Sequence, residues 1–484
     1  MSFERKKTKQ QLHRSGRNQI SVLNSPFAAK QYPTATAPEH EPQVPSPAIF
    51  DFPSNANEPQ ATAHKLPVAA ACATHLELLE VFYVTRQKVL MSAAIDSAFD
   101  IVPNRETKTG HKGDKKTLKD ATLWDRRQIK WTTYVEIAAV RFMHWMRMLE
   151  RRVNQCTKLM TPAVLTLRDL PPLDVLMVWH SFMLNPRLYM EKCQGHVLYK
   201  IRMPWNLVHQ AIDNRSWTFD IGADATCAFE ALSGLPADLF QQFESWMARD
   251  VSSAEDGIVR LTELTLGTER TALVPALFPN SPINTSRLDY KYAGFIDQAD
   301  NHLAIQLRDA VVRQSAFVDK MNARMWIRSP ALEGTLRRGI NRYDKFLALL
   351  RMYPRQTIVP TLDIDLVWHT HQCAPAAYVK GTKAIVGRFI NHDDTIVKER
   401  LSGGFDVSRT YFRVHFGTEY RVCGCWDCEA LLSEVEAAAK DGSEPIDMAA
   451  VAGRVMQKVH YHRAVEVAIR NKKPLPLWEE AVLS

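Results

Sequence analysis

Two aspartates and two histidines crowd into one short stretch of the chain, VPTLDIDLVWHTHQ (359–372). Carboxylate oxygens and imidazole nitrogens are ligands that Zn²⁺, Mn²⁺ and Fe²⁺ take in proteins. The stretch is typical of a helix, because Pro360 suits the first helical turn and apolar residues recur every three or four positions. Asp365 and His369 are four residues apart, so we expect their side chains to share one helix face.

The same helical geometry separates the two histidines. His371 is predicted to point almost opposite to His369, toward the buried face of the helix, so one ion can use only one of them. Asp363 falls in the first turn, where a negative charge favours the positive end of the helix dipole. We interpret Asp363 as a structural residue that satisfies helix N–H groups.

A second polar group follows in RFINHDDTIVKERLSGGF (388–405). His392 and Asp393 would complete a set of two histidines and two carboxylates with Asp365 and His369. This set suits Zn²⁺, Mn²⁺ or Fe²⁺, and two histidines with one carboxylate suit non-haem Fe²⁺. An alternative is helix capping, in which Asp394 caps a helix that the Gly403–Gly404 pair ends.

Three cysteines form a further candidate site. Cys423, Cys425 and Cys428 have the spacing C-x-C-x₂-C, and thiolates so spaced can surround one Zn²⁺ if a fourth ligand comes from elsewhere. Redox-active thiols, and reduced structural cysteines packed beside Trp426, stay open as alternatives. The candidates for the fourth ligand are Cys373, His415, His460 and His462.

The Trp-His helix occurs twice. Residues 171–189 and 360–378 align with a shift of 189 positions and share eight identical residues in 19, which predicts a duplicated unit. An amphipathic helix with an Arg-aromatic pair precedes each copy, at 141–149 and 342–350. The residues of the first copy that recur in the second are Pro171, Leu173, Asp174, Val178, Trp179, His180, Pro186 and Tyr189.

Comparison of the two copies separates shared from specialised positions. The shared Asp174 and His180, with Trp179 and its equivalent Trp368, are interpreted as structural. Leu176 replaces Asp365 in the first copy and Phe182 replaces His371. The chemistry is therefore expected in the second copy.

Helical periodicity dominates the rest of the chain, so the predicted fold is mostly α with few short strands. Strand-like alternation occurs at 216–222 and 260–266, and residues 103–120 have the composition of an exposed, mobile loop. The predicted organisation is a disordered, basic and proline-rich tail at 1–66, a first helical module at 67–230, a helical connecting region at 231–330, and a second module at 331–484. Helices are predicted at 68–90, 131–152, 236–250, 300–327, 341–352, 429–440 and 447–470.

Charge and composition restrict location and partners. The net charge is +8, and part of it lies in the basic run at 5–17, which favours a nuclear localisation signal, a weak nucleic-acid contact or a solvated tail. No apolar run is long enough to span a membrane, and none follows the basic start as in a secretory signal. With its scattered cysteines, this predicts a cytoplasmic or nuclear protein without a membrane span. The sequence identifies no protein partner.

Several of these motifs in order resemble the glycine-rich domain-containing protein-like family. They are LPPLDVLMVWHSFMLNPRLY (170–189), MPWNLVHQAID (203–213), VPTLDIDLVWHTHQ (359–372), HDDT (392–395) and FGTEY (416–420). CGCWDCEA (423–430) resembles the tail of fungal members. The family is a domain of unknown function, whose plant members have a glycine-rich tail and an RNA-binding segment.

Three functions follow as hypotheses. The first is a non-enzymatic helical scaffold or regulatory protein, stabilised by Zn²⁺ or another divalent metal. The second is a metal-dependent enzyme that uses the Asp/His cluster, and the third is a nucleic-acid-associated protein. The names of some fungal relatives suggest a 2-oxoglutarate-dependent dioxygenase. That chemistry needs a His-x-Asp…His triad on a β-barrel, whereas this chain has Asp-x₃-His on a predicted helix.

Overall fold

Helices form most of the chain in a computed structural model. The structure describes residues 33–52, 66–99, 101–104, 106–109, 115–118, 120–156, 165–248, 298–394, 398–440 and 447–478. The helices of the first half are α1 (Ala69–Met91), α2 (Ala93–Ala98), α3 (Leu123–Cys156), α4 (Leu173–Met183), α5 (Pro186–Cys193), α6 (Trp205–Gln210), α7 (Gly222–Ser233) and α8 (Leu239–Ala248). The later helices are α9 (Gln298–Arg324), α10 (Leu332–Met352), α11 (Leu362–Gln372), α12 (Pro375–Val386), α13 (Lys398–Phe416), α14 (Trp426–Lys440) and α15 (Met448–Arg470). The predicted mostly α fold is confirmed.

The few described strands form two small antiparallel hairpins. β1 (Glu106–Thr109) pairs with β2 (Lys115–Leu118), and β3 (Ile212–Asp213) pairs with β4 (Thr218–Phe219). The first hairpin lies where the sequence predicts only a loop, because Leu118 is the one apolar residue of its two strands, so no alternating apolar face can be recognised. The strand predicted at 260–266 lies outside the described residues.

The duplication predicted from the sequence is confirmed by matching hydrogen bonds in the two halves. In α4, Trp179 Nε1 donates to the hydroxyl of Tyr189 (3.1 Å), which donates to the carbonyl of Leu198 (3.0 Å). In α11, Trp368 Nε1 donates to the hydroxyl of Tyr378 (2.8 Å), which donates in turn to a backbone carbonyl (2.9 Å). Each half thus uses the same buried aromatic pair to fix the chain that follows its Trp-His helix.

A buried ion pair also recurs in both halves. Arg141 Nε donates to Asp174 Oδ2, and Arg342 Nε donates to Asp363 Oδ2, both at 2.6 Å. The two arginines belong to the Arg-aromatic helices that precede each copy in the sequence. These contacts explain why the Arg and Asp positions recur together: each pair joins its helix to the start of the Trp-His helix.

Gly403 and Gly404 do not end a helix as the sequence predicts, whereas two prolines lie just past the ends of the Trp-His helices. Pro186 and Pro375 each begin the next helix at its first position, where the missing N–H has no partner to lose. Gly403 and Gly404 lie inside α13 and do not end it. A Cβ on Gly404 would lie 2.9 Å from the carbonyl oxygen of Thr357, so close backbone approach explains this glycine.

Residues 33–52, which composition assigns to the tail, contact the folded part. Ala35 N donates to the carbonyl of Leu475 (2.7 Å), and Phe50 stacks on His209 with ring centroids 3.8 Å apart. Arg215 pairs with Glu41. This part of the tail therefore lies on the surface of the helical body.

Helix α1 joins the two halves. It packs against α3 and α6 of the first half, against α9, and against α10 and α11 of the second half. Helix α9, from the predicted connecting region, packs on α1, α3 and α4. Because α1 is surrounded, its polar residues Thr74, His75, Glu77 and Glu80 are buried. A buried polar group needs a partner, so α1 must find its partners in the other helices.

The buried Glu80 predicts a pH effect on stability. Burial raises the pKa of Glu80 from 4.5 to about 7, while Asn322 Nδ2 donates to Glu80 Oε2 (2.6 Å). The folded state therefore binds this proton more tightly than the unfolded state. Stability should fall as the pH rises from about 4.5 to 7, by up to about 3 kcal/mol.

We expect Glu80→Gln to remove that fall, since the amide keeps an acceptor for Asn322 and carries no charge. The measurement is urea unfolding between pH 4.5 and 8, with the exposed Glu333→Gln as a control for loss of one negative charge. Parallel pH profiles for the wild type and Glu80→Gln would contradict the assignment.

Candidate metal centre

Asp365, His369 and His392 converge inside the second half. Asp365 and His369 lie one turn apart on α11, and the Asp365 N–H donates to the carbonyl of Thr361 (2.8 Å) in the first turn of the helix. His392 lies in the segment between α12 and α13. These three residues form one of the groups of potential metal ligands in the described part of the chain, with one ligand atom from each residue within 4.8 Å of the others.

The distances define the centre. His369 Nε2 lies 3.1 Å from His392 Nε2 and 3.4 Å from Asp365 Oδ1, and His392 Nε2 lies 4.0 Å from that oxygen. Metal–ligand bonds of about 2.0–2.2 Å place neighbouring ligand atoms roughly 3.0–3.5 Å apart. The first two distances fit one ion without movement, and the third needs to shorten by a fraction of an ångström.

The centre has fewer protons than its converging atoms need for hydrogen bonding. His392 Nδ1 lies 3.0 Å from the carbonyl oxygen of Leu184, which can only accept, so Nδ1 carries a hydrogen and Nε2 is the ring nitrogen that can present a lone pair. Asp365 Oδ1 is a second acceptor. His369 can supply at most one proton to the three converging atoms.

Neither tautomer of His369 satisfies the group. With the proton on Nε2, His369 donates to His392, and both His369 Nδ1 and Asp365 Oδ1 stay buried without a hydrogen-bond partner among the described residues. With the proton on Nδ1, three lone pairs face one another. Each unsatisfied buried polar atom costs about 1–3 kcal/mol. A cation at the meeting point would accept the lone pairs of all three ligand atoms.

The surroundings of Asp365 and His369 favour the protonation states that bind a cation near neutral pH. Burial lowers the pKa of His369 well below its usual value, and the neighbouring His392 lowers it further, so the ring is neutral. Burial raises the pKa of Asp365 to about 6, so its carboxyl group is mostly ionised at pH 7. The ring of Phe317 packs on His369 with centroids 4.4 Å apart and closes one side of the centre.

The other acidic residues and histidines of the second copy have different partners. Asp363 pairs with Arg342, and His371 Nδ1 lies 2.9 Å from the hydroxyl of Tyr343 in the core. Asp394 Oδ1 lies 3.1 Å from Arg313 Nε. Asp393 is exposed and lies outside the group of three ligands found in the described chain.

The first half contains a related histidine pair that sequence reasoning missed. His180 Nε2 lies 2.9 Å from Nε2 of His75 on α1, and His75 Nδ1 lies 2.8 Å from Thr370 Oγ1. Thr370 donates its own hydrogen to the carbonyl of Leu366 (2.8 Å), so His75 Nδ1 must donate to Thr370. His75 Nε2 can then accept from His180. The available signal was the polar residues inside the otherwise apolar α1.

The two histidine pairs differ in their need for a cation. His180 needs only its Nε2–H to satisfy His75, and the position of Asp365 is occupied by Leu176. His180 Nδ1 has no partner among the described residues, but His180 borders a cavity of about 10 Å³, room for one water. Two neutral rings therefore satisfy each other in the first half, whereas the second half adds an unpaired carboxylate.

The three cysteines form a second group of possible ligands. Cys423, Cys425 and Cys428 each place a sulfur within 4.8 Å of the others, just before and within the first turn of α14. Among the described residues, no fourth Cys, His, Asp or Glu joins this group. Of the predicted fourth ligands, His415 contacts the hydroxyl of Tyr353 and His462 contacts the carbonyl of Arg328. Cys373 is buried, and His460 has other interactions.

None of the described cysteines forms a disulfide. Cys72, Cys193, Cys227, Cys373, Cys423, Cys425 and Cys428 are all free thiols. No helix in the described part of the chain combines the length and hydropathy needed to cross a bilayer.

Comparisons with known proteins agree with the motifs. Residues 266–381 match the family described as glycine-rich domain-containing protein-like. The chain is 26% identical over 268 residues to glycine-rich domain-containing protein 1 of Arabidopsis thaliana, and 25% identical over 295 residues to glycine-rich domain-containing protein 2 of the same plant. No solved structure matches the chain.

These matches extend over part of each protein. They cover 52% and 58% of this chain but only 26% and 29% of the two plant proteins, so the chain spans little more than a quarter of the relatives it matches. Asp365 and His369 lie inside the matched family region, and His392 lies beyond it. The resemblance predicted from the sequence motifs is confirmed.

Proposed function

Through residues 266–381 the chain is related to the glycine-rich domain-containing protein-like family, and we propose that it is a non-enzymatic metalloprotein. In this proposal one divalent transition-metal ion, bound by Asp365, His369 and His392, holds the two helical halves together. The observation that carries the proposal is the meeting of three ligand atoms that share at most one proton.

The position of the centre supports a structural role. His392 belongs to the second half, yet its Nδ1–H donates to the carbonyl of Leu184 in the first half. An ion on His392 Nε2 would therefore connect that contact to α11, which packs on α1. His369 is almost fully buried, as expected for an ion that stabilises a fold.

The donor atoms restrict the ion. Two imidazoles and one carboxylate suit Zn²⁺, Fe²⁺ or Mn²⁺ better than Ca²⁺ or Mg²⁺, which prefer oxygen ligands. The three residues would hold the ion. The ion would neutralise the negative charge of Asp365 and accept the lone pairs of the two imidazole rings.

The test is the metal content of the full chain purified without added metal. We expect the double variant Asp365→Ala/His369→Ala to contain one equivalent less of Zn, Fe or Mn than the wild type, because it loses two of three ligands. His371→Ala is the matched control: it removes a buried histidine of the same helix that contacts Tyr343, and it should keep the ion. Equal metal content in a folded double variant would overturn the proposal.

A metal-dependent enzyme is a second candidate. The observation in its favour is that three protein ligands leave coordination positions open, and that 23% of the Asp365 side chain is exposed. Azide added to the Co²⁺-loaded Cys428→Ser variant, in which the cysteine group cannot contribute, would change its visible spectrum if solvent molecules reach the ion at Asp365. An unchanged spectrum would favour the structural role.

The remaining hypotheses keep the status of predictions. The basic run at 5–17, on which a nucleic-acid contact depends, lies outside the described residues. A cytoplasmic or nuclear location is proposed on the reduced cysteines alone.

A further inference from the structure

We propose that Cys423, Cys425 and Cys428 bind a second metal ion, a single thiophilic ion of the Zn²⁺ type, with one coordination position left open to solvent. This site is independent of the Asp365 centre in its ligands. It goes beyond the proposed function, because it requires a soft ion on thiolates at a partly exposed helix start.

The spacing of the sulfurs fits one ion. All three sulfurs lie within 4.8 Å of one another. Zn–S bonds of about 2.3 Å in a tetrahedral site place sulfurs about 3.8 Å apart, so small side-chain rotations bring the three thiolates into range.

Residues other than the cysteines fix the turn that carries Cys423 and Cys425. Gly424 lies between two of them with φ +67°, in the left-handed region that favours glycine. Trp326 Nε1 donates to the carbonyl of Gly424 (2.7 Å), and a Cβ on Gly424 would lie only 3.0 Å from the ring of Trp326. The indole of Trp426, fully buried, donates to the carbonyl of Arg324 (2.9 Å). Two anchored tryptophans thus hold the turn in place.

The start of α14 favours thiolates. The Cys428 N–H points at Cys425 Sγ at 3.5 Å, and Cys425 immediately precedes the first residue of the 15-residue helix. A helix N-terminus stabilises a nearby thiolate, the form that binds metal.

The exposure of the three cysteines indicates how an ion can enter the site, and the surrounding residues indicate that one coordination position stays open. Cys425 is buried, Cys423 is half-buried and Cys428 is exposed, so an ion can enter from the side of Cys428. The two acids adjacent to Cys428 in sequence are occupied by ion pairs: Asp427 pairs with Arg463 (2.7 Å) and Glu429 pairs with Arg338 (2.6 Å). Since no fourth Cys, His, Asp or Glu joins the group in the described chain, the fourth ligand is water or a small exogenous ligand.

The test uses Co²⁺ as a probe for Zn²⁺, added to the full reduced chain. Thiolate ligands give Co²⁺ a sulfur-to-metal charge-transfer band in the near ultraviolet, which nitrogen and oxygen ligands do not give. We expect the band in the wild type, its displacement by excess Zn²⁺, and its loss in Cys428→Ser. Cys428 is exposed, so this variant should fold.

Two controls separate this site from other cysteines and from the Asp365 centre. Cys227→Ser removes an exposed cysteine of α7 and should keep the band, as should Asp365→Ala/His369→Ala. A wild type without the band, or a Cys428→Ser variant that keeps it, would overturn the proposal.

Discussion

Asp174→Ala should lower the free energy of unfolding by about 3–5 kcal/mol, because it removes the carboxylate that pairs with a buried guanidinium. Arg141 has 0% and Asp174 has 2% of its side chain exposed, and Arg141 Nε lies 2.6 Å from Asp174 Oδ2. The carbonyls of Pro236 and Ala237 also accept from Arg141 but carry no charge. The measurement is urea unfolding at pH 7.

The duplication supplies a matched control. Asp363→Ala removes the equivalent acid of the second half, where Arg342 is 12% exposed and also donates to Thr361 Oγ1 and the carbonyl of Tyr420. Water can reach this guanidinium, so we expect a clearly smaller loss. Equal losses for the two variants would show that burial of the arginine does not set the energy.

Metal binding at the Asp365 centre should stabilise the fold by a comparable amount. An ion that binds only the folded state adds about 4 kcal/mol to the free energy of unfolding at a concentration roughly 1,000 times its Kd. We expect this gain when Zn²⁺ is added to metal-free Cys428→Ser, which lacks the proposed cysteine site, and we expect none when Asp365→Ala/His369→Ala is combined with that variant. Thermal or urea unfolding with and without Zn²⁺ measures it.

His371→Ala is the control that tests whether the stabilisation by Zn²⁺ depends on the Asp365 centre. His371 lies on the same helix, is buried and contacts Tyr343, so its loss should lower the starting stability. The gain on addition of Zn²⁺ should nevertheless persist. Loss of the gain in His371→Ala alone, with the gain kept in the double variant, would place the ion elsewhere.

Local patterns were sufficient for most of the helices. The apolar periodicity predicted helices at 447–470 and 300–327, and the structure places them at Met448–Arg470 and Gln298–Arg324. Such patterns depend on neighbours within one or two turns, which the sequence displays directly. The hairpin of β1 and β2 was missed because its strands hold a single apolar residue, Leu118, and therefore show no apolar alternation.

The repeat carried more information than any single motif. Because Asp174 and Asp363 recur in both copies, comparison of the copies indicated structural roles. The structure pairs each with an arginine, whereas the sequence predicted helix N–H groups as the partners of Asp363. The glycines of 403–404 were misinterpreted, because a glycine required by close backbone approach has the same local signature as one that ends a helix.

The sequence by itself determined the duplicated Trp-His helix and the shared face of Asp365 and His369, because both follow from helix geometry over a few residues. Only the tertiary structure decided that His392 meets them, since its ring is oriented by the carbonyl of Leu184, 208 positions away. It likewise decided that His75 faces His180. Convergence of side chains from separate helices depends on how whole helices pack, and no local period records that.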